Sequence, residues 1–563
     1  MVFESSNDTV AVLTRGLTSW KHSRPISPKK NSQALVADRF SRAYLKRQFE
    51  TSNQVVVSEV SKRVLPTCVF FGLRLHPKVS VIVPVGDSRK MKLLLEIAGV
   101  IFTVLIFTVS SQQDYDYGKV LELSLLFYEA QRSGYLPLDN RIPWRQNSAL
   151  NDTSPNGDDL TGGYYDAGDF VKFGFTMAST TTLLTWGLLS YKDAYVASGQ
   201  YKNCLNAIRW ASNYFIKCHV SPNEFYGQVG DFVLDHEFWG RPEELNMSRP
   251  AYKIDKDHPG SDLAGETAAA LAAVSLAFKN VDPEFSLLCL KHAKQLYSFA
   301  TNYRGFYHEA IKGASQYYES TDYADELTWS AAWLYKASND LTYLDDAEHH
   351  YMKFRLKERP NEFFYNKKVA GVQILLAQLT GKPEYVEAAQ AFCDFIVDYQ
   401  KVTPKGLIYI DKLGTLCHAS NVAFICLQAA DIGLKSSTKY RKFAKRQINY
   451  ILGDSGRSYL VGFGKDYPKQ PHHAASSCPD RPAPCGWEAY SRRGPNPQIL
   501  YGALVSGPDE NDYYEDKREE YVYNEVTLDY NAGFQSAVAG LKHLELAEVT
   551  GTNGTKSKNS VMC

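Results

Sequence analysis

The chain has 563 residues, of which 44% are hydrophobic, 13% aromatic and 22% charged, and this excludes small disulfide-stapled scaffolds, disordered chains and fibrous proteins. Basic and acidic side chains both total 62, but residues 1–90 hold 15 basic and 6 acidic ones, which leaves 47 basic and 56 acidic for residues 91–563. The acidic main part of the chain therefore has no general electrostatic attraction to nucleic acid.

The change in charge coincides with a segment that is typical of secreted proteins. The basic residues 89–92 precede an apolar run at 93–109 that ends in two serines, which is the order of a secretory signal peptide. Since Met91 is the first methionine after Met1, we expect translation to start there. Residues 1–90 would then be upstream sequence or an artefact of gene prediction, and residues 91–111 a cleaved signal. The alternative is a signal anchor of a type II membrane protein, for which seventeen residues are marginal.

Two further features suit an extracellular protein. Glycosylation sequons begin at Asn151, Asn246 and Asn553, although so short a pattern recurs by chance. Among the ten cysteines, Cys478 and Cys485 lie close together in a proline-rich segment, which predicts a disulfide that staples a loop. If the protein were cytosolic, two reduced thiols in a surface loop would be an equally good interpretation.

Apolar residues at helical spacing recur along most of the chain. They predict amphipathic helices at residues 120–131, 204–217, 263–278, 327–337, 369–379, 384–399 and 531–546. About a dozen helices separated by long loops, with little strand-like alternation, indicate an all-α toroid of helical hairpins with functional residues in the loops at one end. We expect this domain to span residues 112–546 and a polar tail to follow at 547–563.

The segment 158–170, DDLTGGYYDAGDF, contains the first candidate functional group. Asp166 and Asp169 lie three residues apart, beside glycines that let a ligand approach the backbone and tyrosines that can stack on a sugar ring. Two carboxylates in this arrangement can hold a water molecule. Taken alone, an Asx-type turn at a helix entrance is the more frequent explanation of the pattern.

The segment 516–526, DKREEYVYNEV, contains the second candidate group. Glu525 lies among tyrosines, just before the last apolar helix. Desolvation there would raise the pKa of its carboxyl, which suits a general acid. The more common role of such a residue is that of a first-turn glutamate that complements the helix dipole.

Five segments in the same order resemble those of glycoside hydrolase family nine. They read SLLFYEAQRSG at 124–134, DLTGGYYDAGDFVKF at 159–173, FWGRPE at 238–243, GSDLAGETAAA at 260–270 and NEV at 524–526. The resemblance covers about residues 115–546 and is close for the animal secreted endo-β-1,4-glucanases. It implies an all-α (α/α)6 barrel of about twelve helices, and a cellulase that hydrolyses internal β-1,4-glucosidic bonds of cellulose-type glucans with inversion of the anomeric centre.

The resemblance also assigns roles to the acidic groups. It implies that Asp169 is the catalytic base, that Asp166 helps to hold the attacking water, and that Glu525 is the acid that protonates the leaving oxygen. An inverting site needs its acid and base about 6.5 to 9.5 Å apart to admit a water, so these carboxylates must meet across the mouth of the barrel. His472 is expected to contact the substrate beside the cleavage point.

Further residues are expected to form the sugar-binding wall. His236, Trp239 and Arg241 match the family's His-x-x-Trp-x-Arg-Pro element, in which an indole can carry a glucose ring. As an isolated pattern, this element would more often be a packed loop. Tyr164 and Tyr521, from the two acidic segments, are also expected to contact the sugar.

Thr321, Asp325 and Glu326 resemble a calcium site found in many members of the family. Oxygen-only ligands suit calcium, which would stabilise a loop rather than take part in the chemistry, so the reaction requires no cofactor. Acids in the first turn of the helix at 327–337 are an equally good interpretation. Asn366 lies where a further acidic ligand is expected, and its carbonyl would bind calcium more weakly.

The chain departs from the family pattern at three substrate-binding positions. Ala474 replaces an arginine, Leu413 a stacking tryptophan and Cys417 a second arginine. Because contacts to the sugar supply binding energy that is used for substrate distortion, these losses should lower turnover as well as affinity.

These observations leave several functions open. The first is a secreted, monomeric endoglucanase whose partner is a β-glucan polysaccharide or oligosaccharide, with no nucleic acid and, once the signal is cleaved, no membrane. The second is a weakened or inactive glucan-binding descendant, favoured by the three departures. The third is a membrane-anchored glucanase, favoured by the N-terminal residues alone. An enzyme for another β-glycan, such as mixed-linkage glucan or xylan, stays open because a fold does not determine the substrate.

Overall fold

The computed structural model describes residues 115–557, with side chains described up to residue 549. The predicted N-terminal extension at 1–90 and the predicted signal peptide at 91–111 lie outside the described residues. Within the described part of the chain, none of the helices is both long and apolar enough to cross a membrane.

Twelve helices of at least 12 residues form the framework of residues 115–557. They are α1 Tyr117–Ala130, α2 Gly174–Ser190, α3 Tyr201–Cys218, α4 Ser261–Phe278, α5 Pro283–Asn302, α6 Ala324–Ser338, α7 Leu341–Lys353, α8 Val369–Thr380, α9 Pro383–Asp398, α10 Thr415–Ala430, α11 Ser437–Asn449 and α12 Leu528–Ser557. The even-numbered helices pack on one another in sequence, and α12 returns to α2, so that they close an inner ring. The odd-numbered helices pack on the outside of this ring. The (α/α)6 barrel is therefore confirmed.

Shorter elements lie in the loops of the described region. The short helices are Lys192–Ala197, Phe232–Asp235, Tyr307–Ala310, Ala474–Ser477, Trp487–Ser491 and Tyr521–Asn524, with 3₁₀ turns at Pro242–Glu244 and Lys312–Gln316 and a π-helical turn at Tyr450–Asp454. Strands β1 Lys172–Phe173, β2 Phe225–Val229 and β3 Ala251–Ile254 form one antiparallel sheet in that order. This sheet holds the chain between the first acidic segment and α2.

The inner and outer helices have different sequence patterns. In the outer helix α3, the buried residues Cys204, Ile208, Ala211 and Phe215 recur every three or four positions, because one face packs inward. In the inner helix α10, all 16 residues are buried, so small and apolar residues occur all round and the helical period is lost. Burial of one face thus explains the helical period of α3, and burial on all sides explains its absence in α10.

Three tryptophans fill the centre of the inner ring. Trp186 of α2 and Trp329 and Trp333 of α6 are fully buried, and their ring centroids lie 5.5, 5.9 and 5.6 Å apart. Tilted and edge-to-face pairs of this kind add about 0.5–1.5 kcal/mol each beyond the area that they bury. The centre of the barrel is therefore a packed core.

The seven predicted helices are all present. In six of them, both ends lie within three residues of the predicted ends. The last helix was predicted at 531–546 and spans Leu528–Ser557. The helix therefore includes a large part of the segment 547–563 that we predicted as a polar tail.

Candidate active site

The candidate site lies at the end of the barrel where the inner helices begin. Asp166 precedes α2, Tyr318 precedes α6 and Glu525 precedes α12. These segments meet, because the Tyr318 hydroxyl donates to the Asp166 carboxylate and the Leu528 amide donates to the Asp166 carbonyl. Helix N-termini carry partial positive charge, which favours carboxylates at this end of the ring.

Asp166 is held rigidly in the first acidic loop. It is 1% exposed, and the hydroxyls of Thr176 and Tyr318 donate to its two carboxylate oxygens. Burial raises the pKa of Asp166 to about 7, and the negative charge of Asp529 acts in the same direction. The carboxylate is therefore fixed in orientation and keeps free lone pairs for a further donor such as water.

Asp169 follows on the same loop and is half-buried. Burial raises its pKa well above the usual value, and the negative charges of Asp235 and Asp166 add to the increase. A carboxylate with a raised pKa is a stronger proton acceptor, which suits a general base.

Glu525 lies between two helices rather than inside one. It follows the short helix Tyr521–Asn524 in extended backbone and precedes the start of α12, so it is not a first-turn residue of the last helix. Its side chain is 23% exposed. Burial raises the pKa of Glu525, although the positive charge of His472 and the amide of Gly168 act in the opposite direction.

Backbone contacts bring the two acidic segments together. The Ala474 amide donates to the Gly168 carbonyl at 2.9 Å, and the His472 amide donates to the Asn524 carbonyl at 2.8 Å. A Cβ at Gly168 would lie 2.2 Å from the His472 carbonyl oxygen, so this position requires glycine. The segment at 472–474 therefore links the Asp169 loop to the Glu525 loop.

His472 has a defined orientation beside Glu525. Its Nδ1 lies 2.7 Å from the carbonyl oxygen of Arg518, which can only accept, so Nδ1 carries the proton. Its Nε2 lies 4.0 Å from Glu525 Oε2. This arrangement places a ring nitrogen that can form a hydrogen bond with a sugar hydroxyl next to the candidate acid.

Aromatic rings extend from His472 along one side of the site. Trp239 packs edge-on against His472 with centroids 5.3 Å apart, and Trp487 lies 5.9 Å from Trp239. Trp487 is 48% exposed, and Tyr521, whose ring lies 6.3 Å from His472, is 50% exposed. Exposed rings of this kind can stack on sugar faces.

Comparison with known proteins assigns the family. The sequence profile of glycosyl hydrolase family 9 matches residues 117–538. The chain belongs to glycosyl hydrolase family 9.

Three relatives show the extent of the similarity. Endoglucanase B of Cellulomonas fimi is 44% identical over 461 residues, which cover 79% of this chain and 43% of that protein. The endoglucanase structure from the termite Nasutitermes takasagoensis is 56% identical with a TM-score of 0.76, and the match covers 77% of this chain and 100% of the termite chain. Endoglucanase CelQ from Clostridium thermocellum, solved with cellotriose, is 35% identical with a TM-score of 0.68 over 76% of this chain and 71% of its own. This chain thus spans less than half of the first relative.

Two of the residues predicted to contact sugar need correction in this family 9 chain. Tyr164 is 2% exposed and its hydroxyl donates to the Ala207 carbonyl at 2.8 Å. Arg241 is 5% exposed, and its guanidinium donates to Glu244 and to the carbonyls of Pro479 and Ala483. Both side chains are buried and form hydrogen bonds within the protein, and the residue type alone does not predict this burial.

Trp239 and His236 differ in their access to a sugar. Trp239 is 8% exposed and its indole nitrogen donates to Ser477 Oγ at 2.8 Å. It therefore supports the wall from behind, and its predicted contact with a glucose ring is a third correction. His236 is exposed, and its Nδ1 lies 3.2 Å from the Phe232 carbonyl oxygen. A carboxylate oxygen of the adjacent Asp235 and one of Asp169 lie within 4.8 Å of a ring nitrogen of His236 and of each other.

The residues that could hold calcium fit in part. Asp325 and Glu326 lie in the first turn of α6, which agrees with the alternative interpretation of these residues as first-turn acids. Asp325 Oδ1 and both Glu326 carboxylate oxygens are buried and accept no hydrogen bond within the described residues. Oxygens of this kind suit a hard cation. Thr321 and Asn366 instead bond to Lys367 Nζ at 2.8 Å and to the Glu319 carbonyl at 3.0 Å.

The three departures from the family pattern occupy different environments. Leu413 is 45% exposed. Ala474 is 2% exposed and packs with Tyr165 and Trp239 in a small apolar cluster. Cys417 is fully buried, with its sulfur 3.6 Å from the carbonyl oxygen of Asp529. Only Leu413 lies where a larger side chain would meet open space.

A disulfide holds the loop that carries Trp487. Cys478 and Cys485 are bonded at an S–S distance of 2.02 Å, and the helix Trp487–Ser491 begins two residues later. The indole nitrogen of Trp487 donates to the Glu237 carbonyl at 3.2 Å.

Four residues of the site were not predicted from the sequence, namely Trp487, Tyr318, Thr176 and Asp235, because isolated residues of these types form no recognisable motif. Nearness to a cysteine pair was the one signal that could have indicated Trp487.

Proposed function

We propose that this family 9 chain is an endo-β-1,4-glucanase that hydrolyses cellulose-type glucans with inversion. The observation that carries the proposal is the close packing of the Asp166–Asp169 loop against Glu525 at one end of the barrel, with His472 between the two segments. The names of the relatives, and the cellotriose bound to CelQ, support a β-1,4-glucan as the substrate.

Glu525 is proposed as the acid. Burial raises the pKa of its carboxyl, so the carboxyl retains a proton at a pH where an exposed glutamate would be ionised. It passes this proton to the glycosidic oxygen as the bond to the anomeric carbon breaks. His472 Nε2, 4.0 Å away, forms a hydrogen bond with a sugar hydroxyl and keeps the sugar beside the acid.

Asp169 is proposed as the base, with Asp166 as its partner in holding the water. The hydroxyls of Thr176 and Tyr318 fix Asp166, so the water that it binds is fixed as well. This water gives a proton to Asp169 while it attacks the anomeric carbon on the face opposite to the leaving oxygen. One displacement of this kind inverts the configuration.

Hydrolysis of carboxymethyl cellulose tests the proposal. We expect the viscosity to fall early, while few reducing ends have formed, because internal bonds are cut. Glu525→Gln and Asp169→Asn should abolish both the fall in viscosity and the release of reducing ends, without a change in melting temperature. Glu519→Gln, which alters an exposed carboxylate in the same segment, is the matched control and should retain full activity. An active Glu525→Gln variant would contradict the assignment.

A structural calcium ion is a further part of the proposal. Asp325 and Glu326 would hold the ion, with oxygens of Thr321 and Asn366 as additional ligands, and the bound ion would neutralise two buried carboxylates and stabilise the start of α6. Calcium should then raise the melting temperature of the wild type but not of an Asp325→Asn, Glu326→Gln double variant. An equal response of both proteins would contradict this proposal.

The expected location follows from the predicted signal. We propose that the protein is secreted as a monomer after cleavage of residues 91–111. The mature protein from a secreting host should begin near Gln112 and elute from gel filtration at the mass of one chain. Activity that sediments with membranes would favour the anchored alternative.

A second candidate function is glucan binding with little turnover. The absence of the family side chains at Ala474, Leu413 and Cys417 favours it, since these positions are expected to grip the substrate. In that case, cello-oligosaccharides would bind to the folded protein in calorimetry, but none would be cleaved.

A further inference from the structure

Three side chains on one wall of the site form a mixed nitrogen and oxygen cluster. One ligand atom from each of Asp169, Asp235 and His236 lies within 4.8 Å of the other two. Among the described residues, no other set of three His, Cys, Asp or Glu side chains comes this close together. Two carboxylates and one imidazole are a donor set that borderline divalent metal ions prefer.

The orientation of His236 suits a metal ligand. Its Nδ1 lies 3.2 Å from the Phe232 carbonyl oxygen, which can only accept, so the proton resides on Nδ1 and the lone pair on Nε2. Ligating histidines usually donate their second ring nitrogen to a carbonyl or a carboxylate in this way. Because His236 is exposed, an ion can reach the cluster from solvent.

Asp235 provides a second, independent observation. It is 2% exposed, and its Oδ1 accepts a hydrogen bond from the Phe170 amide at 3.1 Å, whereas its Oδ2 accepts none within the described residues. The nearest cation is Arg249, whose Nη1 is 4.0 Å from Oδ2. That guanidinium is already bonded to both oxygens of Asp152, at 2.7 and 3.2 Å. A buried carboxylate oxygen thus lacks a close partner of its own.

We propose that Asp169, Asp235 and His236 form a binding site for one zinc ion. Zinc bonds to oxygen and nitrogen at about 2.0–2.2 Å in tetrahedral geometry, which places neighbouring ligand atoms about 3.4 Å apart, so the three side chains need to move inward by about 1 Å. A water molecule completes the coordination. Calcium and magnesium are poorer candidates because they prefer oxygen ligands alone.

Bound zinc has a consequence for catalysis, which rests on the function proposed above. An Asp169 carboxylate that is bonded to a metal ion cannot accept the proton of the attacking water. Zinc would therefore inhibit hydrolysis reversibly, and a chelator would restore activity. Since His236 also lies on the predicted sugar-binding wall, zinc and substrate would compete.

Metal binding can be measured without any reference to activity. We would titrate the full chain with Co²⁺, follow its visible d–d absorption, and displace it with Zn²⁺ in calorimetry. Calcium in excess keeps the Asp325 and Glu326 carboxylates occupied. The wild type should bind one ion, and Asp235→Asn and His236→Gln should each bind at least about tenfold more weakly, because losing even an outer partner of a metal ligand costs about 10- to 100-fold.

Glu237→Gln is the matched control. Glu237 is an exposed carboxylate next to His236, and this variant should bind zinc as the wild type does. Thermal unfolding should demonstrate that all variants are folded, and Asp235→Glu provides a second probe that keeps the charge if Asp235→Asn is unstable. Absence of a cobalt band in the wild type, or equal zinc affinity in wild type, Asp235→Asn and His236→Gln, would overturn the proposal.

The inhibition experiment separates this proposal from the proposed function. Zinc should raise the apparent KM for cello-oligosaccharides in the wild type and in Glu237→Gln. If the chain binds zinc at one site but hydrolyses no glucan, the proposed function fails and the metal site stands. If the chain hydrolyses glucan and zinc inhibits it without binding at these residues, the metal site fails and the proposed function stands.

Discussion

The backbone amide of Leu528 donates a hydrogen bond of 2.9 Å to the carbonyl oxygen of Asp166. This bond joins the first residue of α12 to the loop that precedes α2, two segments that lie far apart in the sequence. Because the bond uses main-chain atoms alone, side-chain substitutions in either loop leave it in place. The carboxyl groups of the site can therefore be tested one by one without loss of their common framework.

Loss of the hydroxyl that holds Asp166 should reduce turnover. Tyr318→Phe removes one of the two donors to this carboxylate and keeps the ring. Since a hydrogen bond to a charged group contributes about 1.5–3 kcal/mol, we expect kcat to fall about 10- to 100-fold in assays with cello-oligosaccharides. Tyr323→Phe removes a nearby hydroxyl for which no bond to Asp166 exists, and it should have little effect. A fall of similar size in both variants would argue against a role for Tyr318 in positioning.

Asp262 should make the fold more stable at acid pH. It is fully buried, and burial raises its pKa to about 7 from the ordinary value of 3.8. The folded state thus binds a proton that the unfolded state has lost between about pH 4 and pH 7. The free energy of unfolding should therefore fall with rising pH by about 1.4 kcal/mol per pH unit for this group. Above pH 7, the stabilisation by the bound proton is completely lost.

Urea unfolding at several pH values measures this effect. Asp262→Asn should flatten the pH dependence between pH 4 and 7 relative to the wild type, whereas Asp257→Asn, which alters an exposed carboxylate, should leave it unchanged. Equal slopes for wild type and Asp262→Asn would contradict the interpretation.

Trp487 should contribute to substrate affinity. It is 48% exposed and lies on the side of the site that His472 and Trp239 form. If a sugar stacks on this ring, Trp487→Ala should weaken binding of cellotetraose to the inactive Glu525→Gln protein by about 0.5–1.5 kcal/mol, which is about two- to tenfold in calorimetry. Trp487→Phe should recover part of this loss because it retains an aromatic face. Unchanged affinity in Trp487→Ala would exclude such a role.

Leu413→Trp should improve the enzyme. Leu413 is 45% exposed, so an indole has room to extend from this position without disturbing the core. We expect kcat/KM for cello-oligosaccharides to rise several-fold, as an added aromatic contact of about 1 kcal/mol implies. Cys417→Arg should instead lower the melting temperature, because Cys417 is fully buried and a longer side chain would overpack the core. An unchanged kcat/KM in Leu413→Trp would indicate that no sugar reaches this position.

The sequence predicted the fold class and seven of the twelve framework helices, namely the outer helices α1, α3 and α9 and the inner helices α4, α6, α8 and α12. Helical spacing is visible in α3 because one face is solvated, whereas α2 and α10 are buried on nearly all sides and so lack a period. The sequence also identified Asp166 and Glu525 as candidates, although only the resemblance distinguished them from a turn residue and a helix-cap residue.

Residue type alone could not predict which side chains reach the site. Tyr164 and Arg241 have side chains that suit sugar recognition, but both are buried and bonded to backbone carbonyls. Tyr318 and Asp235 carry no local pattern, and they come close to the Asp166–Asp169 loop only through tertiary packing. Burial and long-range contacts of this kind depend on the complete fold.

The configuration of the released sugar tests the central assignment most directly. Cellotetraose would be hydrolysed in an NMR tube, and the proton signals of the new reducing ends would be followed before mutarotation, with Glu525→Gln as the control. A single displacement by water held at Asp166 and Asp169 predicts α-anomeric ends first, and none with Glu525→Gln. Initial β-anomeric ends, or α-anomeric ends that form equally fast with Glu525→Gln, would contradict the account.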